Sequence, residues 1–326
     1  MSVIVFLLVL FFISLLLALI LTPVVKVIAQ DLEIVDKPSE RKMHRTPIPY
    51  CGGVAIYLSV FASLLIAAVI YPFSGHTLTG REMSVFFSLF LGGTLTMLVG
   101  LIDDIVNMPP KVKLLCQIVI VLIIVQFGVA VTFISNPFGA GIYYLPKWLS
   151  IVVTLVWIVG IMNALNLLDG LDGLLAGVTT ISALIFLAVS LIKGQFLIAM
   201  VMASLAGAAL GFLRYNFNPA QLFMGDAGSL LIGILFASCS VIGALKSTAT
   251  LALFVPVLIM GLPIMDTLWA ILRRAKNRQP IFKADKGHIH HRLMNLGLSQ
   301  RQVVLIIYAI NALLGILGLA LFHYVK

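Results

Sequence analysis

Ten stretches of this sequence are apolar for about the length a helix needs to cross a bilayer, and little separates them. They run from Val3 to Leu21, Cys51 to Tyr71, Ser84 to Leu101, Leu114 to Ile134, Leu149 to Met162, Leu174 to Ile192, Phe196 to Leu213, Ser229 to Leu245, Thr250 to Leu268 and Val303 to His323. A spanning helix takes about 20 apolar residues. In hydrocarbon every backbone N–H and C=O must find a partner within the protein, which leaves helices or closed barrels, and these runs are too long for barrel strands. The chain is therefore expected to be an all-α polytopic integral membrane protein of about 10 (10–11) transmembrane helices, one domain over residues 1–326. Charged residues make up 10% of it, against about 25% in a soluble domain. Nothing basic precedes the first run, the first positive side chain is Lys26, and no small-residue cleavage site follows, so a retained helix is expected rather than a cleaved leader.

Counting charges gives an orientation, because cytoplasmic loops collect Lys and Arg. With the N-terminus outside and ten alternating spans, the inner segments hold 16 of the 21 basic residues. The same alternation places 11 of the 12 acidic residues inside, Glu82 being the exception. Carboxylates obey no topology rule of their own, so longer inner loops or a site facing the cytosol must account for them. The formal charge of +9 suits anionic lipid heads and phosphate-bearing substrates; nucleic acid is not expected as a partner, since the positive segments are short and tethered to the bilayer. Cys51, Cys116 and Cys239 are too few and too scattered for a disulfide framework.

The polar residues cluster. Asn163 to Gly173 reads NALNLLDGLDG, putting two amides and two carboxylates between apolar runs. At about 100° per residue, Asn163, Asn166, Asp169 and Asp172 cannot share one narrow helical face, so the helix is expected to break near Gly170. Asp103 and Asp104 end the third run in GLIDDIVNMPPKVK, where adjacent carboxylates suit a hard divalent cation or a proton acceptor, or are simply a solvated helix end. Asp226, between Gly225 and Gly228, either caps the following helix or ligates a metal. The loop from Asp31 to Gly53 holds Arg41, Lys42, His44 and Arg45, with prolines that exclude a long helix. His288, His290 and His291 lie among Lys283, Lys286 and Arg292. That surrounding charge suits phosphate oxygens; zinc would want a fourth ligand, and no cysteine is near. Tyr143, Tyr144 and Trp148 read as an interfacial belt. Channels and transporters carry charge at mid-depth, whereas here it gathers at helix ends.

Taken together, SERKMHRTPIPYCGG, DDIVNMPPK, NALNLLDGLDGL, FNPAQLFMGDAGSL and ADKGHIHHRL resemble, in order, the motifs of the polyprenyl-phosphate N-acetylhexosamine-1-phosphate transferases. The GHIHHRL form is similar to the WecA/TagO branch, which primes O-antigen, enterobacterial common antigen or teichoic acid, and lacks the three consecutive histidines of the phospho-MurNAc-pentapeptide branch. The resemblance implies transfer of GlcNAc-1-phosphate from a UDP-N-acetylhexosamine to undecaprenyl phosphate with release of UMP, using Mg²⁺, with Mn²⁺ as a substitute. It implies a metal site at Asp226, Asp103 and Asn166 and catalytic roles for Asp103, Asp104, Asp169, Asp172 and His290. Substrate contacts are implied at Lys42, His44, Lys111, Lys113, Asn163, Asn166, His288, His291 and Arg292. A multi-pass protein of the plasma membrane, active at its cytoplasmic face and with a homodimer left open, is the resulting expectation.

Overall fold

Helices carry most of the described residues, as the apolar runs require. The computed structural model describes residues 2–36, 46–70, 79–135, 141–245, 260–276 and 289–324. Eleven helices lie among these residues: α1 Val3–Asp31, α2 Gly52–Ile70, α3 Gly80–Val106, α4 Pro110–Gln126, α5 Lys147–Leu168, α6 Leu174–Ile192, α7 Phe196–Asn216, α8 Gly225–Leu245, α9 Gly261–Lys276, α10 Ile289–Asn295 and α11 Gln300–Tyr324. Two antiparallel pairs join them, β1 Val35–Asp36 with β2 Ile48–Pro49, and β3 Phe133–Ser135 with β4 Ile142–Tyr144. Eight helices are long and apolar enough to cross a membrane, among the described residues.

Several helices outrun their apolar stretches. α1 continues past Leu21 to Asp31, α3 past Leu101 to Val106, and α5 past Met162 to Leu168. Hydropathy measures only the part in lipid, while backbone hydrogen bonding carries the helix into a polar setting. The expected fourth span is displaced: Pro110 starts α4 early, as proline does at N1, and the helix stops at Gln126 after 17 residues. Residues 250–259 of the expected ninth span lie outside the described residues, and α9 carries on beyond Leu268 to Lys276.

α8 forms the centre of the bundle and is buried along nearly its whole length, whereas α1 lies at the edge. Small residues bring the helices together, as expected where lipid offers no hydrophobic drive for association. A side chain at Gly207 or Gly211 would strike the α1 backbone at Phe11 or Leu15, and one at Gly53 would strike Gly228 of α8. Polar bonds set the register: Ser14 Oγ donates to the Ser204 carbonyl at 2.7 Å, Trp157 Nε1 to Ser240 Oγ at 2.8 Å, and Asn311 Nδ2 to Ser182 Oγ at 2.9 Å. Each contributes on the order of 0.6 kcal/mol in a membrane. The helices alternate in direction, so the last turns of α3, α5 and α7 and the first turns of α8 and α11 meet at one end, around a common cavity. Tyr143, Tyr144 and Trp148 are exposed, as the belt reading requires.

Candidate active site

The cavity has a volume of about 610 Å³ and is lined by residues of α3, α5, α7, α8 and α11 and of the segments that join helices at this end, including Asp36, Asp103, Asp104, Asn166, Asp169, Asp172 and Asp226. That size falls within the usual range for small-molecule sites. Asp103 and Asp104 are adjacent on α3 and so point about 100° apart, which gives them different neighbours. Asp103 faces α4: its Oδ1 accepts from the Met108 amide at 2.6 Å and its Oδ2 lies 3.0 Å from Lys113 Nζ. Asp104 faces α8, where its two oxygens accept from the amides of Asp226 at 2.7 Å and Ala227 at 3.2 Å.

Lys113, in the first turn of α4, gathers the oxygen ligands. Its ammonium pairs with Asp103 and with Asp226 Oδ2, and also reaches Asn166 Oδ1 at 3.5 Å. Asn166 orients the last of these carboxylates by donating from Nδ2 to Asp226 Oδ1 at 2.7 Å and to Ser229 Oγ at 2.8 Å. Two carboxylates and an amide oxygen therefore converge on one cation. All are hard oxygen donors, the set that Mg²⁺ takes, and they are the three residues expected to hold metal.

Asp172 sits in the turn between α5 and α6, with Oδ2 accepting from Asn218 Nδ2 and from the Ala220 amide, both at 3.0 Å. Asn218 also donates to Gln300 Oε1 at 2.9 Å, and Arg301 Nε donates to its carbonyl at 3.1 Å. This network pins the α7–α8 connection. The far end of that connection is held by β2 and the start of α2, with Phe223 N on Pro49 O at 2.9 Å and Gly53 N on Met224 O at 2.8 Å.

Asp169 follows the last residue of α5, half-buried in the wall. Burial, and then the negative charges of Asp226, Asp104 and Asp172, raise its pKa to about 8, so near neutral pH its carboxyl is largely a proton donor. Tyr50 reaches the cavity beside Asp36. Burial, then Asp36, pushes its phenol well above the usual tyrosine range, which keeps the hydroxyl protonated. The Cys51 thiol is pushed up to about 12, first by burial and then by Asp104.

The expected residues fall into three groups. Asp103, Asp104, Asn166, Asp169, Asp172 and Asp226 line the cavity, with Lys113 bound to two of them. His290 is buried directly behind Gly170, where an added Cβ would lie 2.8 Å from its Nε2. Asp266 accepts from the Ile289 amide at 2.9 Å and so anchors α10, which carries His290 and His291. Asn163 lies deeper along α5, outside the cavity lining, donating to Gln117 Oε1 at 2.7 Å and to the Val159 carbonyl at 2.8 Å. Lys111 and Arg292 are exposed and not among the lining residues. Lys42, His44 and His288 lie outside the described residues.

Sequence reasoning passed over Asp36, Tyr50, Asn107, Asn216, Asn218 and Gln300, which also line the cavity. A usable signal was present for two of them: Asn216 ends α7 and Asn218 lies just after it, before Pro219, in the short connection that leads to Asp226.

Comparison with known proteins places this geometry. Residues 86–244 match the model for glycosyl transferase family 4. The chain is 41% identical over 311 residues to the probable undecaprenyl-phosphate N-acetylglucosaminyl 1-phosphate transferase of Bacillus subtilis (strain 168), a match covering 95% of this chain and 84% of that protein. The chain belongs to glycosyl transferase family 4. It is also 36% identical over 307 residues to the decaprenyl-phosphate N-acetylglucosaminephosphotransferase of Mycobacterium leprae, covering 88% of this chain and 76% of that protein. The phospho-N-acetylmuramoyl-pentapeptide-transferase of Bacillus thuringiensis is 31% identical over 323 residues, covering 95% of this chain and 94% of that protein. The stretch matched by the family 4 model contains Asp103, Asp104, Lys113, Asn166, Asp169, Asp172 and Asp226.

Proposed function

We propose that this protein transfers GlcNAc-1-phosphate from UDP-GlcNAc to undecaprenyl phosphate, releasing UMP, at the cytoplasmic face of the plasma membrane. The observation that carries the reading is the convergence of Asp103, Asn166 and Asp226 on the ammonium of Lys113 at the wall of a carboxylate-lined cavity. The transferase names of relatives at 36–41% identity support the same chemistry. Orientation rests on the excess of Lys and Arg in the segments at the cavity end, with the N-terminus outside.

In the proposed reaction an oxygen of the lipid phosphate bonds to the sugar-bearing phosphorus. The bond from that phosphorus to the bridging oxygen breaks, and UMP leaves with the electron pair. A phosphate monoester is largely a dianion at pH 7, so the attacking group needs no strong base. The acidic pair is poorly suited to form a covalent intermediate, because Asp103 already accepts from Met108 and Lys113, and Asp104 from two amides. Mg²⁺, or Mn²⁺ in its place, held by Asp103, Asn166 and Asp226, would supply neutralisation of phosphate charge. Lys113 holds Asp103 and Asp226 together, and Asp169 offers a proton at the cavity wall.

The test is purified protein with undecaprenyl phosphate, Mg²⁺ and a panel of UDP-sugars, with UMP release as the readout. UMP from UDP-GlcNAc alone among the donors is expected. Release only from the pentapeptide-bearing UDP-N-acetylmuramic acid would replace the substrate assignment, and no release from any donor would overturn the reading.

A further inference from the structure

Asp103 and Asp104 form an adjacent acidic pair, yet the structure gives them unlike surroundings. The Asp104 carboxylate is committed to the first turn of α8, accepting from the backbone amides of Asp226 and Ala227. A helix leaves its first amides without partners inside the helix. They are usually satisfied by a side chain just before it, and α8 is preceded there by Met224. The cap comes instead from α3, a different span.

The backbone around this contact leaves room for nothing else. Gly225 has φ +71°, and a Cβ there would run into the Asp104 carboxylate. Gly100, one helical turn before Asp104, would likewise strike the α8 backbone at Asp226 and Ala227. Two glycines thus let α3 and α8 approach closely enough for one carboxylate to span two amides.

We infer that Asp104 is a positioning residue: its carboxylate caps α8 and so fixes where the neighbouring Asp226 presents its own carboxylate, while Asp103, which pairs with the Lys113 ammonium, is the member that meets a cation. The inference rests on the transferase reading only where activity is the readout. The pair therefore divides its labour, one member holding the scaffold and the other facing the ligand.

The test compares Asp104→Asn with Asp103→Asn in the full-length protein. An asparagine offers one acceptor oxygen in place of two, so one α8 amide loses its partner. Hydrogen–deuterium exchange without metal or substrate should show the amides of Asp226 and Ala227 exchanging at least tenfold faster in Asp104→Asn and unchanged in Asp103→Asn. In UMP-release kinetics, kcat of Asp104→Asn should fall by about tenfold or more, with KM for the nucleotide sugar near that of the parent, and the stranded amide should also lower the melting temperature by a few degrees. A residue that served stability alone would lower the melting temperature and leave kcat per folded molecule intact. Unchanged exchange at Asp226 and Ala227 would overturn the inference whether or not the protein is a transferase. Absence of UMP release by the parent protein would overturn the functional reading and leave the cap standing.

Discussion

Lys113 supplies the sharpest perturbation, because one ammonium bridges two carboxylates. Its Nζ lies 3.0 Å from Asp103 Oδ2, and the side chains of Lys113, Asp103 and Asp226 retain only 16%, 12% and 26% of their exposure. At an effective dielectric of about 20, the pair with Asp103 alone has a Coulomb energy of about 5 kcal/mol. Desolvation offsets much of that, and breaking a fully buried pair costs about 3–5 kcal/mol, so Lys113→Met in this partly wet site should lose about 1–3 kcal/mol. Melting temperature in detergent with EDTA should fall, at roughly 2–4 °C per kcal/mol. Added Mg²⁺ should then restore the variant, since the divalent ion fills the place of the lost ammonium. A ligand at a hundred times its Kd stabilises by about 2.7 kcal/mol. The parent should gain less than half the variant's Mg²⁺ shift, because its metal competes with an ammonium already in place. Equal Mg²⁺ shifts in the two proteins, or no destabilisation in EDTA, would refute the reasoning.

Three further outcomes follow. Asp172→Ala strands one N–H of Asn218, which keeps its bond to Gln300, and the Ala220 amide, so it should cost about 1–3 kcal/mol and speed proteolysis of the α7–α8 connection; a parental melting curve would remove the anchoring role. Asp169 has a folded pKa of about 8, above its unfolded value of 3.8. The native state therefore binds the extra proton between those values, and stability should decline as pH rises through that window, by about 1.4 kcal/mol per unit from this group. Asp169→Asn should flatten the decline between pH 6 and 8, as read from melting temperatures across pH. Cys51 is buried with its thiol pushed up to about 12, so maleimide at pH 8 should leave it unlabelled in the native protein and modify it after denaturation, with mass spectrometry of the peptide as the check.

The bilayer-spanning parts of the fold were legible because lipid imposes one strong rule on sequence, a run of apolar residues. The break near Gly170 was legible too: α5 ends at Leu168 and α6 begins at Leu174. Helix ends were less so. Asn163 and Asn166 stay helical because Gln117, Asp226 and Ser229 satisfy their amides, and all three are remote in sequence. Asp226 was weighed as the cap of its own helix, but it sits inside the first turn and receives support there from Asp104. A carboxylate's role depends on the donors that face it, and those come from other spans. The same limit hid the link from Asn218 to Asp172 and Gln300, which joins three separate connections.

The central claim is that this cavity moves a sugar together with its phosphate, and the position of a phosphorus label tests that directly. Purified protein is given undecaprenyl phosphate and UDP-GlcNAc labelled with ³²P at the phosphorus attached to the sugar. The label is expected to appear in the lipid fraction in equal amount to the UMP formed, with the nucleotide product unlabelled. Label recovered in UDP, with unlabelled sugar on the lipid, would show transfer of the sugar alone and contradict the account.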